Sequence, residues 1–136
     1  MIQKPMFSPQ TEWLPPESFP DLSKHDEIAI DLETKDPQLK TMGSGSVTGR
    51  GKIVGIALAV NNWSGYYPIA HEGGGNMDEK MVMNYFRTVL NLPARKIFHN
   101  AMYDVCFIKA AGLKINGQIV DTMIAGSLVD ENRFRY

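Results

Sequence analysis

The stretch EIAIDLETKDP, Glu27–Pro37, alternates apolar and polar residues and carries two acids on its polar side. Its isoleucines and leucine recur at every second position, which is the period of a strand with one buried face. Asp31 and Glu33 point to the opposite side near the carboxyl end of the strand, and a proline then favours a turn. The sequence therefore predicts a strand that displays a pair of carboxylates at its tip.

Two further strands are predicted after the first one. They lie at KIVGIALAV and GYYPIAH, and the short NNWSG segment connects them as an antiparallel hairpin. Pro68 lacks an N–H for a ladder and places the third strand at a sheet edge. Gly55, Ala57 and Ala59 give the second strand a face of small residues, which predicts close packing of a helix there. We expect a polar loop at Thr41–Lys52.

The second half of the chain alternates helices with short strands. A helix is predicted to begin near Asn76, where Glu79 completes a capping-box pattern, and to end before Pro93. RKIFH is a strand, Asn100 caps the next helix, GQIVD is a last strand, and Asp121 is the N-cap of a final helix. We therefore expect an α/β fold with a mixed sheet, in which the first three strands are antiparallel and the later ones parallel, and with flanking helices.

The composition limits the class of protein. A chain of 136 residues with 43% apolar residues can form one globular domain, and a formal charge of −1 provides no general attraction for nucleic acid. Five prolines among the first 25 residues predict an extended arm over 1–25, followed by the domain over 26–136. A lone cysteine, Cys106, and the lack of a signal sequence or a membrane-length apolar run predict a cytoplasmic protein without membrane contact.

Acids from two predicted elements are expected to meet. Asn100 and Asp104 lie four residues apart, on one side of the helix that leaves the RKIFH strand. Ligand crevices of open α/β sheets lie at the carboxyl ends of the strands, so Asp104 faces Asp31 and Glu33 if RKIFH neighbours the first strand. Three carboxylates repel one another, and Mg²⁺ or Mn²⁺ compensates them. We predict that these three acids are metal ligands, in a site for two ions that hydrolyses phosphodiesters.

Several segments carry a resemblance to a known family. IAIDLETKD resembles the Asp-x-Glu motif of 3′–5′ exonucleases with a ribonuclease-H-like fold, and HNAMYDVCFI resembles their Asn-x-x-(Phe/Tyr)-Asp motif. IVDTMIAGSLVDENRFRY is similar to the following segment of proofreading domains in family A DNA polymerases, and YYPIAHEGGGN resembles phage-type members. The resemblance covers the chain from about Glu27. It implies a ribonuclease-H-like fold, the 3′ end of single-stranded DNA as substrate, a polymerase domain of the same full-length chain as partner, and a bacterial or phage-infected cell.

The resemblance also implies roles for individual residues. The two acids of the first motif hold the ion near the attacking water, and Asp31 with Asp104 holds the ion near the leaving oxygen. Thr34 lies near the terminal 3′-hydroxyl, Asn100 positions the terminal nucleotide, and Tyr103 packs beneath that nucleotide or braces the helix.

One part of the family pattern is missing from the chain. The family completes its site with Tyr-x-x-x-Asp, or a histidine version, on a later helix, and neither Asp121 nor Asp130 has Tyr or His four residues before it. We therefore predict an amino-terminal fragment, truncated before the third motif, with little or no turnover by itself. An incomplete domain exposes apolar surface, which also predicts self-association.

Two other functions fit the same residues. An RNA 3′–5′ exonuclease of the ribonuclease-D kind uses the same fold and metals, because these motifs do not encode the sugar of the substrate. A non-catalytic nucleic-acid-binding or scaffold module is the third hypothesis. The missing motif favours it, and the three retained acids oppose it.

Overall fold

The computed structural model describes residues 13–132, which form a five-stranded sheet with helices. The strands are β1 (Glu27–Lys35), β2 (Lys52–Val60), β3 (Trp63–Pro68), β4 (Arg95–Phe98) and β5 (Ile119–Asp121). The helices are α1 (Leu39–Met42), α2 (Gly45–Thr48), α3 (Glu79–Asn91), α4 (Ala101–Ala110) and α5 (Thr122–Val129). The predicted alternation of strands and helices in the second half of the chain is confirmed.

The sheet is mixed, with the strand order β3-β2-β1-β4-β5. β1 and β3 both pair antiparallel with β2, whereas β4 runs parallel to β1 on one side and to β5 on the other. Pro68 is the last residue of β3, an edge strand. The predicted hairpin and the parallel later strands are confirmed, and β4 neighbours β1, which is the condition under which Asp104 was expected to face the two acids.

One face of the sheet forms the core. The apolar positions of β1 alternate with exposed ones, as predicted, and Ile28, Ile30 and Leu32 are buried. The buried apolar side chains of α3 and α4 belong to the same cluster; they are Val82, Phe86, Val89, Leu90, Ala101, Phe107 and Ile108. Each large apolar side chain buried in this way contributes roughly 1.5–3 kcal/mol. The two helices thus hold β1 from the side opposite to its acids.

The other face of the sheet is open over the described residues. We expected a helix to pack on its small residues, and this expectation is wrong for the part of the chain that the structure describes. A Cβ added at Gly55 would lie 1.9 Å from the Tyr66 hydroxyl, so a side chain of β3 occupies this space instead of a helix. A groove of about 720 Å³ runs along this face, bordered by Trp13 at one side and by Thr122 of α5 at another.

A β-bulge interrupts the ladder of β1 and β2 beside the acids. Glu33 pairs with Gly55 but Thr34 pairs with Ile53, so Val54 is an extra residue in β2. Ile53 and Val54 are consecutive and both are buried, which a regular strand with one buried face does not allow. The bulge brings Lys52 opposite Lys35 at the end of the ladder.

The predicted loop between β1 and β2 contains two helical turns, α1 and α2. The Ser44 side chain accepts a hydrogen bond from Ser46 N at 3.4 Å and so caps α2. Gly43 and Gly49 have φ values of 82° and 71°, a conformation that favours glycine and ends each turn. The predicted polar loop thus includes ordered single turns, because these cap residues stabilise them.

The start of α3 also differs from the prediction. Asp78, and not Asn76, is the N-cap, and its side chain accepts a hydrogen bond from Met81 N at 2.8 Å. The Asn76 side chain bonds instead to both backbone groups of His71. Two residues with good capping side chains stand close together in the sequence, and the loop geometry selects the second.

The described part of the predicted arm, from residue 13 onward, lies against β3 and α3. The Phe19 ring stacks on Tyr67 with centroids 5.6 Å apart, and Tyr85 donates its hydroxyl hydrogen to the Pro20 carbonyl at 2.7 Å. Leu22 is buried in the core. Residues 1–12 of the predicted arm and 133–136 at the other end lie outside the described residues. Among the helices of residues 13–132, none combines the length and apolar character that a membrane span requires.

One lysine is buried and bonded to backbone carbonyls. Lys96 in β4 is fully buried, and its Nζ donates to the carbonyls of Leu92, Ala94 and Asn116. Burial lowers the pKa of Lys96. The three carbonyls tie the C-terminal end of α3 to the chain before β5, so this cation has a structural role.

Candidate active site

The two acids of β1 lie on the open face, beside the bulge. Asp31 and Glu33 are both exposed, while Leu32 between them is buried. Bulges re-aim neighbouring side chains and are common next to functional sites. The strand therefore presents both carboxylates at its carboxyl end, as the sequence predicted.

Asp104 approaches the same point from helix α4. Its side chain is 4% exposed, and its Oδ2 accepts a long hydrogen bond of 3.4 Å from Leu32 N. This contact joins the helix to the strand that carries the other two acids, across a separation of 72 residues. The predicted meeting of Asp104 with the tip of β1 is present in the structure.

The electrostatics of Asp104 reflect this neighbourhood. Burial, the nearby Asp31 carboxylate and, to a lesser extent, Glu33 raise the pKa of Asp104 to about 7, while the hydrogen bond from Leu32 opposes them. The two ion pairs of the described residues, Lys35–Glu72 and Arg95–Glu27, do not involve these three acids. The site thus holds a concentration of negative charge, and within residues 13–132 no lysine or arginine forms an ion pair with it.

These acids fit a hard divalent cation in donor type and charge. Carboxylate oxygens are the ligands that Mg²⁺ and Mn²⁺ prefer, and a buried acid beside two others is stabilised by a cation. However, over residues 13–132 no three histidine, cysteine, aspartate or glutamate side chains converge as ready-made ligands of one ion. The assignment of Asp31, Glu33 and Asp104 as metal ligands stays a prediction.

Tyr103 braces the head of α4 against the segment that follows β1. Its hydroxyl lies 2.9 Å from Thr34 Oγ1 and donates to Asp36 Oδ2 at 2.9 Å. The same Asp36 oxygen accepts a hydrogen bond from Gly45 N at 2.9 Å, at the start of α2. Of the two roles expected for Tyr103, this network matches the bracing of the helix.

Asn100 begins α4 but does not cap it with its side chain, so this part of the prediction was wrong. Its φ of 65° is the one positive value outside glycine among the described residues. The cap comes from Asp121, whose two oxygens accept hydrogen bonds from Asn100 N at 3.0 Å and Ala101 N at 2.9 Å. Strained backbone of this kind is often found at functional sites.

Asp121 caps two helices at once. It also accepts a hydrogen bond from Met123 N at 2.9 Å, which confirms its predicted role as the N-cap of α5. Burial raises the pKa of Asp121, but four backbone N–H donors outweigh that effect and lower the pKa. The backbone at Asn100 is therefore held by a carboxylate that the sequence assigned to another helix.

The family of the chain follows from a comparison with known proteins. The sequence matches the family model of the 3′–5′ exonuclease over residues 7–135. The chain belongs to this 3′–5′ exonuclease family.

Relatives of this exonuclease chain are DNA polymerases. A DNA-directed DNA polymerase of Pseudomonas phage M6 is 32% identical over 140 residues, which cover 96% of this chain and 21% of the phage protein. DNA polymerase I of Borreliella burgdorferi is 29% identical over 112 residues, which cover 82% of this chain and 11% of that protein. The exonuclease chain spans about a fifth and a tenth of these two relatives.

Solved structures support the ribonuclease-H-like exonuclease fold. Brucella melitensis NrnC superposes with a TM-score of 0.56 at 22% identity, over 85% of this chain and 50% of NrnC. Structures of NrnC with bound Mg²⁺ and bound to pGG match equally well. The EXO domain of Aedes aegypti Nibbler gives a TM-score of 0.53 at 14% identity, over 87% of this exonuclease chain and 53% of that domain. The predicted fold class is confirmed.

Sequence reasoning missed two residues at this site of the exonuclease. Asp36 follows the first motif by three positions, and only its contacts with Tyr103 and Gly45 reveal its role. Tyr66 of β3 lies in one row with Asp31 across the sheet, and its place over Gly55 depends on the register of three strands. The available signal was Gly55, a residue without a side chain opposite Glu33, but we assigned the space above it to a helix.

Proposed function

We propose that this domain hydrolyses the terminal phosphodiester at the 3′ end of single-stranded DNA, with Mg²⁺ or Mn²⁺ held by Asp31, Glu33 and Asp104. The main support for this proposal is the buried Asp104 carboxylate, which contacts the backbone of β1 between the two exposed acids. Membership of the exonuclease family supports the same reaction. The solved NrnC structure with Mg²⁺ supports the choice of a divalent ion.

Each of the three acids has its own role in this proposal. When bound, a pair of such ions activates water and stabilises the leaving oxygen of an in-line displacement. Asp31 would help to hold both ions, Glu33 the ion that activates the water, and Asp104 the ion that stabilises the leaving oxygen. The pKa of about 7 for Asp104 in the metal-free protein means that metal binding displaces a proton from this carboxyl at neutral pH.

Neighbouring residues position the end of the strand. We assign the contact with the terminal 3′-hydroxyl to Thr34, which is half-buried and already oriented by the Tyr103 hydroxyl at 2.9 Å. Asn100 is exposed at the head of α4 and makes no side-chain cap bond, so its amide can contact the terminal nucleotide. Tyr103 keeps α4 and the end of β1 in register for both contacts.

The nucleic acid and the partner follow from the relatives. Both polymerase relatives contain this domain as a small part of a longer chain, which supports DNA as substrate and a polymerase domain as partner in proofreading. Lys52 lies opposite Lys35 at the end of the β1–β2 ladder, and its charge suits a phosphate backbone, whereas Lys35 is paired with Glu72.

A binding and cleavage assay tests the proposal. The 136-residue chain is titrated into 5′-labelled single-stranded DNA with Ca²⁺ or Mg²⁺, and shortening from the 3′ end is followed with Mg²⁺ or Mn²⁺. We expect binding that depends on the divalent ion and on a free 3′-hydroxyl. Because the chain lacks the third sequence motif, we expect mononucleotide release to be slow, so binding is the primary readout.

Matched variants distinguish the site from general charge effects. Asp104→Asn keeps the shape of the side chain and is expected to remove the ion dependence, whereas Asp130→Asn removes an equal charge from an exposed position. Equal binding by wild type and Asp104→Asn would contradict the proposed site. RNA of the same sequence, used in parallel, distinguishes the ribonuclease-D-like alternative, which predicts tighter binding and faster shortening of RNA than of DNA.

A further inference from the structure

Tyr66 lies across the sheet from the acids of β1, on the same open face. The register pairs Asp31 with Ala57 and Ala57 with Tyr66, so the three residues form one row across β1, β2 and β3. From this row the Tyr66 side chain leans over Gly55, where an added Cβ would lie 1.9 Å from its hydroxyl and 2.4 Å from its Cζ. Only glycine leaves room for the phenol at this position.

The place taken by the Tyr66 hydroxyl is next to Glu33. Gly55 is the cross-strand partner of Glu33, and directly opposed Cβ positions on one face lie about 4.5–5.5 Å apart. The hydroxyl stands where the Gly55 Cβ would be, within reach of a glutamate carboxylate. In agreement with this, burial raises the pKa of Tyr66, and Glu33 and Asp31 raise it further.

The Tyr66 hydroxyl is held from its other side by His71. It is hydrogen-bonded to His71 Nε2. The backbone of His71 is in turn clamped by Asn76, whose Oδ1 accepts from His71 N and whose Nδ2 donates to His71 O, both at 2.8 Å. This clamp gives a reason why Asn76 is not the cap of α3. A connected series of polar groups therefore runs from the glycine-rich loop towards the site.

We propose that Tyr66 is a positioning residue for Glu33, with its O–H donating to the Glu33 carboxylate and with the Nε2–H of His71 donating to the Tyr66 oxygen. The direction follows from the chemistry, because a carboxylate only accepts hydrogen bonds and a phenol has a single hydrogen. His71 must then carry its proton on Nε2. The inference rests on the proposed function, since it gives Tyr66 the task of orienting one of the proposed metal ligands.

The test measures Mn²⁺ binding by the electron paramagnetic resonance of the free ion, independently of catalysis. Tyr66→Phe removes only the hydroxyl, and because outer hydrogen-bond partners of metal ligands affect metal affinity by about tenfold or more, we expect a loss of roughly tenfold. In a Glu33→Gln background the same change is expected to have no further effect. Tyr85→Phe, which removes a hydroxyl bonded to the Pro20 carbonyl, is the matched control and should bind like wild type.

Two further variants test the same contact without deleting the phenol. Gly55→Ala displaces the Tyr66 ring from its position and is expected to reproduce the loss. His71→Phe removes the donor and should weaken Mn²⁺ binding, whereas His71→Gln keeps an N–H donor and should restore part of it. A thermal melt close to that of wild type verifies that each variant is folded.

The outcomes separate this inference from the proposed function. Wild-type Mn²⁺ binding that depends on Glu33 but not on Tyr66 would overturn the role of Tyr66 alone. An equal loss from Tyr66→Phe with and without Glu33 would also overturn it, because the hydroxyl would then act elsewhere. Wild-type binding that is insensitive to both Asp31→Asn and Glu33→Gln would overturn the metal site itself.

Discussion

The Oδ2 of Asp104 accepts, at 3.4 Å, the backbone N–H of Leu32, the residue between Asp31 and Glu33. A helix acid is thereby fixed to the backbone of the strand that carries the other two acids. This single contact brings the two sequence motifs together, and it depends on the parallel pairing of β4 with β1 that positions α4.

The stability of the metal-free protein should depend on the titration of Asp104. Its folded pKa of about 7 lies above the value of roughly 3.9 for an unfolded aspartate, so the folded state binds more protons between these values. The free energy of unfolding should therefore fall as the pH rises from about 4 to above 7, by an amount on the order of a few kcal/mol. Urea denaturation in EDTA at pH 5 and pH 8 measures it.

Two comparisons check that Asp104 causes this dependence. Asp104→Asn should flatten the profile and be more stable than wild type at pH 8, whereas Asp130→Asn should leave the profile unchanged. Mg²⁺ or Mn²⁺ should stabilise wild type more at pH 8 than at pH 5, because the ion competes with the proton. A wild-type stability that rises between pH 5 and pH 8 in EDTA would contradict the assignment.

Tyr103→Phe should destabilise the domain by about 1–3 kcal/mol, the cost of leaving buried polar groups without a partner. The change removes the Tyr103 hydroxyl, which contacts both Thr34 and Asp36. Asp36 Oδ1 already lacks a hydrogen-bond partner among the described residues, so this carboxylate has little compensation. Thr34→Val removes one of the two contacts and should cost less. Chemical denaturation compares them, and equal stability of wild type and Tyr103→Phe would refute the bracing role.

Asp121→Ala should loosen two helices together. Loss of one N-cap costs about 0.5–2 kcal/mol, and this side chain accepts from the first turns of both α4 and α5. Hydrogen exchange should therefore accelerate at Ala101 and Met123 in the same variant. Asp78→Ala, which removes the cap of α3 alone, is the control and should leave those two amides protected. Faster exchange at Met123 only would show that α4 is capped in another way.

The open face and α5 should promote self-association of the 136-residue chain. No side chain of α5 is buried, and Ile124, Leu128 and Val129 are largely exposed on this helix, whose Thr122 borders the groove. Large exposed apolar surfaces favour association. Light scattering should show a mass that increases with protein concentration, and Leu128→Lys should reduce this increase. A monomer at all concentrations would contradict the prediction.

The sequence determined the features that depend on local pattern. The period of two in β1, the acids at its tip, and the alternation of helices with parallel strands were all readable, because each follows from side-chain periodicity and chain direction. That β4 lies beside β1 was only a condition of the prediction, and the structure supplies it. Asn100 was assigned the wrong cap because its own side chain is a good local candidate, whereas Asp121 lies 21 residues away and acts only after β5 pairs with β4.

The remaining errors share a physical reason. Asp36 and Tyr66 act through partners on other elements, and no periodicity within their own segments marks such a partner. The small face of β2 was assigned to a helix, but Ala57 and Ala59 line the open groove and a side chain covers Gly55. That this side chain is a tyrosine from the next strand could be found only from the register of three strands.

Because Val54 is an extra residue in the ladder, the bulge determines on which face of the sheet the preceding side chains of β2 lie. Side chains alternate between the two faces, so a regular ladder that paired Val54 with Thr34, without the bulge, would exchange them: Ile53 would turn outward beside Lys35, and Lys52 would turn inward. That register would also draw the α2 segment one step along the sheet and strain the hydrogen bond from Gly45 to Asp36. The bulge in β2 thus governs which chemical character, cationic or hydrocarbon, borders the acids.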